Sequence, residues 1–175
     1  RRFDLHLGIE DYLRIIEMKT GSLFAVAAQL GATLNGAEPK TTQALKDFGR
    51  KIGTAYQIYD DCLDIAGNET DTGKTLGTDL RHGKLTLPVL MLLASAPTAT
   101  REKYCELILA EESGAITNLL KVDSANGALK SSVDAGDELI RDAQRELENL
   151  PTNQYVDALF QFGEALRELL YQFRT

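Results

Sequence analysis

Apolar side chains recur at intervals of three and four residues along most of the chain, which is the spacing of one face of an α-helix. The first such stretch runs from Ile9 to about Asn35 and carries Leu13, Ile16, Leu23, Phe24, Ala27 and Leu30. The second runs from Thr41 to about Ala66 and carries Leu45, Phe48, Ile52, Ala55, Tyr56, Tyr59 and Leu63. Strand-like alternation with a period of two is absent from the sequence. The pattern therefore predicts an all-α fold without a sheet.

Turn-forming residues predict where these helices begin and end. Asn35-Gly36 closes the first stretch, Pro39 suits the first turn of the next helix, and Gly67 follows the second stretch as a C-terminal cap. Between residues 68 and 85 the periodicity disappears, and a loop of that length in a compact domain is often functional. Thr86 is predicted as the N-cap of a further helix. Later helices are predicted at 99–110, 114–122, 125–149 and 153–173.

Length and composition limit the classes of protein to which the chain could belong. A chain of 175 residues is long enough for one domain with a real core and short for two, so we expect one all-α domain over residues 1–175. The net charge of −7 argues against a nucleic-acid partner, which would favour a basic face. No run of 18 apolar residues is present, so no transmembrane segment is predicted. Cys62 and Cys105 have neither metal-ligand spacing nor a disulfide framework, and a cytoplasmic location is the simplest interpretation.

Three aspartates lie close together near the end of the second predicted helix. Asp60 and Asp64 are four residues apart and share a helix face, with Asp61 about 100° round from Asp60. Like charges at this spacing repel by roughly 0.2–0.5 kcal/mol, and the helix dipole also disfavours anions near a C-terminus. A bound Mg²⁺ would offset this unfavourable electrostatic energy, because it binds one or two carboxylates together with waters and phosphates. A solvated acidic face is the alternative that these residues alone leave open.

Side chains able to contact a phosphate flank the aspartates. Gln57 lies one turn before Asp60, where it could contact a ligand, orient a carboxylate or serve as a core amide. Gly73-Lys74 and Gly83-Lys84 follow the helix; glycine lets backbone N–H groups approach an anion, and lysine supplies positive charge. Asp79, between the two pairs, could be the partner of a lysine or a turn residue. A single lysine would suggest ordinary surface solvation, but two Gly-Lys pairs after three aspartates favour a metal–diphosphate site.

Two other loop motifs do not fit this segment. Gly67-x₅-Gly73-Lys74-Thr75 has one residue too many for a P-loop, and it follows a predicted helix rather than a strand. An EF-hand would place three aspartate or asparagine residues at fixed offsets before Gly67 or Gly73, and neither glycine follows that complete pattern. The nucleotide and calcium-loop interpretations therefore both fail.

The whole arrangement resembles that of a known family, the trans-isoprenyl (polyprenyl) diphosphate synthases. The second aspartate-rich region of that family is similar to Gln57-Ile58-x-Asp60-Asp61-x-Leu63-Asp64 followed by Gly73-Lys74-x-x-Gly77-x-Asp79-Leu80-x-x-Gly83-Lys84-x-Thr86-Leu87-Pro88. The family's Lys-Thr helix is similar to Tyr12-Leu13-x-Ile15-Ile16-x-x-Lys19-Thr20-x-x-Leu23-Phe24, and the spacing between the two blocks also agrees. The resemblance covers the chain from about residue 9 to the C-terminus.

The resemblance implies the all-α isoprenoid synthase bundle and the reaction performed there. An allylic prenyl diphosphate loses its diphosphate to Mg²⁺ and lysines, and the double bond of isopentenyl diphosphate attacks the resulting allylic carbocation before a proton is lost. Asp60 would bind Mg²⁺ directly, Asp61 directly or through water, and Asp64 would support the metal site.

The resemblance also implies catalytic and substrate-binding residues outside the aspartates. Lys19 and Lys74 would bind the allylic diphosphate and assist its departure. Thr20 and Gln57 would stabilise the cation or orient other groups, with Gln57 also close to substrate. Lys84 would bind substrate at a greater distance from the reacting atoms.

The chain also departs from the family pattern. It lacks a first Asp-Asp-x-x-Asp helix, the Arg-Arg that follows it, and the upstream Gly-Lys-x-Arg site for isopentenyl diphosphate. We therefore expect the C-terminal half of a synthase whose N-terminal helices are absent. We also expect that the chain alone is inactive or needs association, as a homodimer or with the missing N-terminal half.

Two other functions compete with that of a synthase. A non-catalytic regulatory subunit of a heteromeric synthase would keep the fold, although intact Asp60, Asp61, Lys19 and Lys74 favour an enzyme. A terpene cyclase fragment is disfavoured by the segment Gly83-Lys84-Leu85-Thr86-Leu87-Pro88, which resembles chain-elongating synthases.

Overall fold

The computed structural model describes residues 4–67, 76–110, 112–122 and 127–174. Within these ranges every regular element is a helix and no β-strand occurs, which confirms the all-α prediction. A π-helix at Glu17–Gly21 joins the first two α-helices. The α-helices, numbered in chain order, are α1 Ile9–Ile16, α2 Ser22–Leu34, α3 Pro39–Ala66, α4 Thr78–Arg81, α5 Leu87–Ser95, α6 Thr98–Leu109, α7 Ser113–Val122, α8 Ala128–Leu147 and α9 Gln154–Tyr171.

The turn residues named from the sequence lie at the ends of these helices. Gly36 follows α2 with a φ of 71°, and Pro39 is the first residue of α3. Gly67 follows α3 directly, and its N–H donates to the Leu63 carbonyl at 2.9 Å. Thr86 precedes α5 in an extended conformation. Helix α4 lies inside the stretch predicted as a loop, because four residues are too few for an apolar period to show.

The π-helix interrupts what the sequence predicts as one helix from Ile9 to about Asn35. A methyl group added at Gly21 would lie 2.6 Å from the Thr54 hydroxyl and 2.8 Å from the Arg50 carbonyl, so the chain approaches α3 closely here. One extra residue in a turn shifts the helix face, and such π segments are frequent at functional sites. The segment contains Lys19 and Thr20.

The chain divides into two compact units, and the first comprises residues 1–12, 60–134 and 171–175. Its core includes α5, which contacts α6 and α7 and is apolar on nearly every side. The buried residues of α5 are Leu87, Pro88, Val89, Leu90, Leu92 and Leu93. This helix has nine residues, and none of the helices within the described ranges is long and apolar enough to cross a membrane.

The second unit comprises residues 13–59 and 135–170. Ile52, Ala55 and Ile58 of α3 are fully buried in it. A methyl group added at Gly49 would lie 2.5 Å from the Phe24 carbonyl, so glycine lets α2 and α3 pack backbone to backbone. Division into two compact units does not decide whether residues 1–175 form one domain, so the single domain stays a prediction.

A buried polar network joins α8 to α9 within the second unit. Asp137, whose side chain is 5% exposed, accepts a hydrogen bond from Arg167 at 2.9 Å and also pairs with Arg141. Gln144 donates to Glu164 at 2.6 Å, and Arg167 donates to the Gln144 side-chain oxygen at 2.9 Å. Because the buried carboxylate has cationic partners, its desolvation is compensated, and α9 is fixed in one register on α8.

Candidate functional site

The three aspartates predicted as metal-binding residues lie in the last two turns of α3. Asp60 and Asp64 are half-buried, whereas Asp61 is only 1% exposed. A solvated acidic face does not describe this arrangement, because one of the three carboxylates lies in the protein interior. The structure therefore gives the three aspartates different surroundings on one helix end.

Asp61 is bound by a side chain from a distant part of the sequence. The Tyr12 hydroxyl of α1 donates to Asp61 Oδ2, and Tyr12 itself is buried. Burial first, and then the Asp61 charge and this hydrogen bond, raise the pKa of the Tyr12 phenol above its usual range. The hydroxyl is therefore protonated and acts as a donor. Burial, followed by the Asp61 charge, also raises the pKa of Cys62, so this free thiol packs as a neutral side chain.

Asp64 caps the short helix α4. Its Oδ1 accepts from the Thr78 backbone N–H at 3.1 Å and from the Thr78 hydroxyl at 3.0 Å, and its Oδ2 accepts from the Asp79 N–H at 3.2 Å. Gly77 has a φ of 68°, which glycine adopts without strain, and its N–H donates to the Asp64 carbonyl at 2.7 Å. Both carboxylate oxygens and the carbonyl of Asp64 thus bind residues 77–79 at the start of α4.

Lys84 lies beside the same aspartates. Its ammonium donates to Asp79 Oδ1 at 2.8 Å, and its backbone N–H donates to the Asp79 carbonyl at 2.9 Å. The hydrogen bond to Asp79 and then the Asp79 charge raise the pKa of Lys84, with smaller contributions from Asp64 and Asp61. Asp79 is therefore the partner of a lysine, one of the two alternatives that the sequence left open. We refer to Asp60, Asp61, Asp64, Asp79 and Lys84 as the acidic group.

The Lys-Thr pair occupies the π-helix of the second unit. The Thr20 hydroxyl donates to the side-chain oxygen of Gln57 at 2.8 Å, and Gln57 is 8% exposed. Lys19, the preceding residue, is exposed. We refer to Lys19, Thr20 and Gln57 as the Lys-Thr group. The resemblance implied roles for all three, and the structure adds a direct bond that orients the Gln57 amide.

Replacing Thr20 with valine should lower the free energy of unfolding by about 1–2 kcal/mol, because a buried amide oxygen loses a donor while the side-chain shape is kept. Urea unfolding would measure the difference. Thr20→Ser is the matched control, since it retains the hydroxyl. We expect its free energy of unfolding to be closer to that of the wild type than the value for Thr20→Val. Equal losses in the two variants would show that the hydroxyl is unimportant.

Two residues of this region were not predicted as site residues, and one predicted residue falls outside the described ranges. Tyr12 and Thr78 bind the carboxylates of Asp61 and Asp64. The sequence offers little signal for either, since Tyr12 has the spacing of a core residue and Thr78 lies in an aperiodic stretch. Lys74 lies outside the described residues.

The acidic group fits Mg²⁺ only as a site that substrate completes. Within the described ranges, no three or more His, Cys, Asp or Glu side chains form a group that could hold a metal ion. Mg²⁺ needs fewer protein ligands than such a group supplies, because one or two carboxylates are enough when waters and phosphate oxygens complete its coordination. Asp60 and Asp61 supply hard oxygen donors of this kind, and Asp64 lies beside them with both of its oxygens accepting hydrogen bonds from α4. The donors present therefore suit a metal bound together with a diphosphate.

Known proteins resemble the chain in sequence and in fold. It is 31% identical over 159 residues to the short chain isoprenyl diphosphate synthase of Methanothermobacter thermautotrophicus, an alignment covering 91% of this chain and 49% of that protein. It is 35% identical over 154 residues to the octaprenyl diphosphate synthase of Escherichia coli, covering 86% and 47%. A crystal structure of polyprenyl synthase from Caulobacter crescentus, complexed with calcium and isoprenyl diphosphate, matches with a TM-score of 0.86 and 33% identity, covering 95% of this chain and 52% of the other.

The chain spans about half the length of the curated relatives it matches. The family model for polyprenyl synthetase matches residues 1–122, which is more than half of the chain. That range contains both the Lys-Thr group and the acidic group. Sequence pattern, fold and relatives thus agree, and the chain belongs to the polyprenyl synthetase family.

Proposed function

We propose that the chain supplies the metal–diphosphate site of a prenyltransferase, which joins an allylic prenyl diphosphate head to tail with isopentenyl diphosphate. The observation that carries the proposal is the acidic group at the end of α3, in which Tyr12 fixes Asp61 and α4 fixes Asp64. Family membership supports the reaction class. The Caulobacter structure, which is complexed with calcium and isoprenyl diphosphate, supports a divalent cation and a prenyl diphosphate as ligands.

Mg²⁺ is the cation that we propose for this site. When bound, it neutralises charge on the diphosphate and so favours departure of that group. Asp60 is proposed as the direct ligand, because its carboxylate is the more accessible of the adjacent pair. Asp61 would act directly or through water, and Asp64 would support the site by keeping α4 in place.

The remaining residues are proposed to act on the substrate. Lys19 and Lys74 bind oxygens of the allylic diphosphate, since ammonium groups supply charge without a fixed geometry. The allylic C–O bond then breaks with its electron pair passing to the diphosphate, a C–C bond forms with isopentenyl diphosphate, and a proton is lost. Thr20 and Gln57 stabilise the cation or orient neighbouring groups, and Lys84 binds diphosphate oxygens farther from the reacting carbon.

We further propose that the active unit contains a second acidic helix from another segment or chain. The sequence carries one Asp-Asp-x-x-Asp helix, and a clamp on a diphosphate needs carboxylates on both sides. A homodimer and an association with an N-terminal half are the assemblies to be tested. One relative, 33% identical, is named component 2 of a heptaprenyl diphosphate synthase in Bacillus subtilis, which supports assembly with a different subunit.

Incorporation of labelled isopentenyl diphosphate into extractable prenyl product tests the proposal. The tagged chain would be purified from its own cells, so that natural partners stay bound, and assayed with an allylic diphosphate. We expect product that requires Mg²⁺ and falls at least about 100-fold with Asp60→Asn. Product formation that persists in EDTA or with Asp60→Asn would contradict the proposal. If product formation required Mg²⁺ but was unchanged by Asp60→Asn, the result would favour a regulatory subunit.

A further inference from the structure

We infer that Tyr12 is a positioning residue of the metal site, acting through Asp61. The inference deepens the proposed function and rests on it, because it concerns the same carboxylates. Tyr12 and Asp61 are 49 residues apart in sequence and lie on α1 and α3. Nothing in the family resemblance gave Tyr12 a role.

The contact places a donor against a carboxylate in the protein interior. Tyr12 is 7% exposed and Asp61 is 1% exposed, so little bulk water competes for the hydrogen bond between them. A hydrogen bond from a hydroxyl to a carboxylate is charge-assisted and stronger than a neutral one. Because burial of a carboxylate without hydrogen-bond donors is costly, the Tyr12 hydroxyl offsets part of the cost of burying Asp61.

The same bond also selects one orientation of the carboxylate. An aspartate on a helix has several staggered rotamers, and a fixed donor at Oδ2 favours the rotamer that meets it. Small errors in the placement of a metal ligand weaken binding, so residues behind the ligands affect metal affinity. Loss of the hydroxyl should therefore weaken the response to Mg²⁺ and leave the other diphosphate contacts in place.

A purely structural role for Tyr12 predicts a different result. The ring packs in the core of the first unit, and phenylalanine at position 12 would keep that packing. If only the ring matters, Tyr12→Phe would behave like the wild type. If general stability matters, any destabilising core change in this unit would weaken the metal response equally.

Titration of Mg²⁺ in the presence of inorganic pyrophosphate separates these cases. For Tyr12→Phe we expect the Mg²⁺ concentration at half-maximal binding to rise about tenfold, with pyrophosphate affinity restored by excess Mg²⁺. Tyr155→Phe, at an exposed position of α9, is the matched control and should behave like the wild type. Ile116→Val, at a fully buried position of α7, should lower thermal stability without changing the Mg²⁺ concentration at half-maximal binding.

A double-mutant cycle of Tyr12→Phe and Asp61→Asn tests whether Tyr12 acts through this carboxylate. In that background, Tyr12→Phe should produce little additional shift, because the charged partner is already gone. Tyr12→Phe with wild-type Mg²⁺ dependence would overturn the inference, as would an equal shift in Ile116→Val or additive effects in the cycle. All titrations use the chain purified from its own cells with its natural partners bound, and if that wild-type preparation bound no pyrophosphate with Mg²⁺, the proposed function itself would be refuted. Circular dichroism of each variant distinguishes loss of fold from loss of binding.

Discussion

Replacing Asp60 with asparagine in the chain purified with its natural partners should reduce the affinity for Mg²⁺–pyrophosphate at least about 100-fold, or about 2.8 kcal/mol. Asparagine keeps the size of the side chain but removes the negative charge that a hard divalent cation prefers. Asp60 is half-buried at the end of α3, so the substitution should leave the core intact. Calorimetric titration of pyrophosphate with and without Mg²⁺ measures the change.

Asp157→Asn is the matched control for this experiment, because it removes the same charge from an exposed position in the first turn of α9. We expect its affinity to stay within about twofold of the wild type, since exposed charges are screened by salt. Equal losses in the two variants would show that net charge, and not coordination by Asp60, determines binding.

Replacing Asp64 with alanine should lower the free energy of unfolding by about 2–4 kcal/mol. The carboxylate accepts three hydrogen bonds from Thr78 and Asp79, which combine a helix cap with bonds to a charged acceptor. Without it, the N-terminus of α4 loses its cap. Urea unfolding gives the global change, and hydrogen exchange at the Thr78 and Asp79 amides gives the local one.

Two milder variants separate the components of the Asp64 interaction. Thr78→Val removes the hydroxyl bond alone and should cost about 0.5–1.5 kcal/mol. Asp64→Asn keeps one acceptor oxygen and should fall between Thr78→Val and Asp64→Ala. If Asp64→Ala left the exchange of both amides at the wild-type rate, the capping role would be wrong.

The helices and the acidic residues were predictable because both depend on local spacing. Periods of three and four residues gave α3, and glycine and proline placed its two ends within a few residues. Asp60, Asp61 and Asp64 share that helix end for the same reason. A lysine partner for Asp79 was one of the two alternatives that the sequence offered, and Asp79 does pair with Lys84.

Contacts between distant parts of the chain were not predictable in the same way. The Tyr12 hydroxyl meets Asp61 only because α1 and α3 pack together in the first unit, and helical spacing alone marks Tyr12 as a core residue. The π-helix at Glu17–Gly21 contains the close approach of Gly21 to Thr54, and Gly21 looks ordinary in sequence. The cap from Asp64 to α4 likewise joins residues 14 positions apart, and apolar spacing gives no sign of it.

The central claim is that Asp60 and a diphosphate bind the same divalent cation. Mn²⁺ in place of Mg²⁺ allows a direct measurement, because electron–nuclear double resonance detects nuclei next to the bound ion. With pyrophosphate and ¹³C-carboxylate aspartate, we predict ³¹P and ¹³C couplings in the wild-type chain, and loss or marked weakening of the ¹³C coupling in Asp60→Asn. A protein-bound Mn²⁺ that shows ³¹P coupling without any carboxylate coupling, or a ¹³C coupling unchanged by Asp60→Asn, would contradict the account.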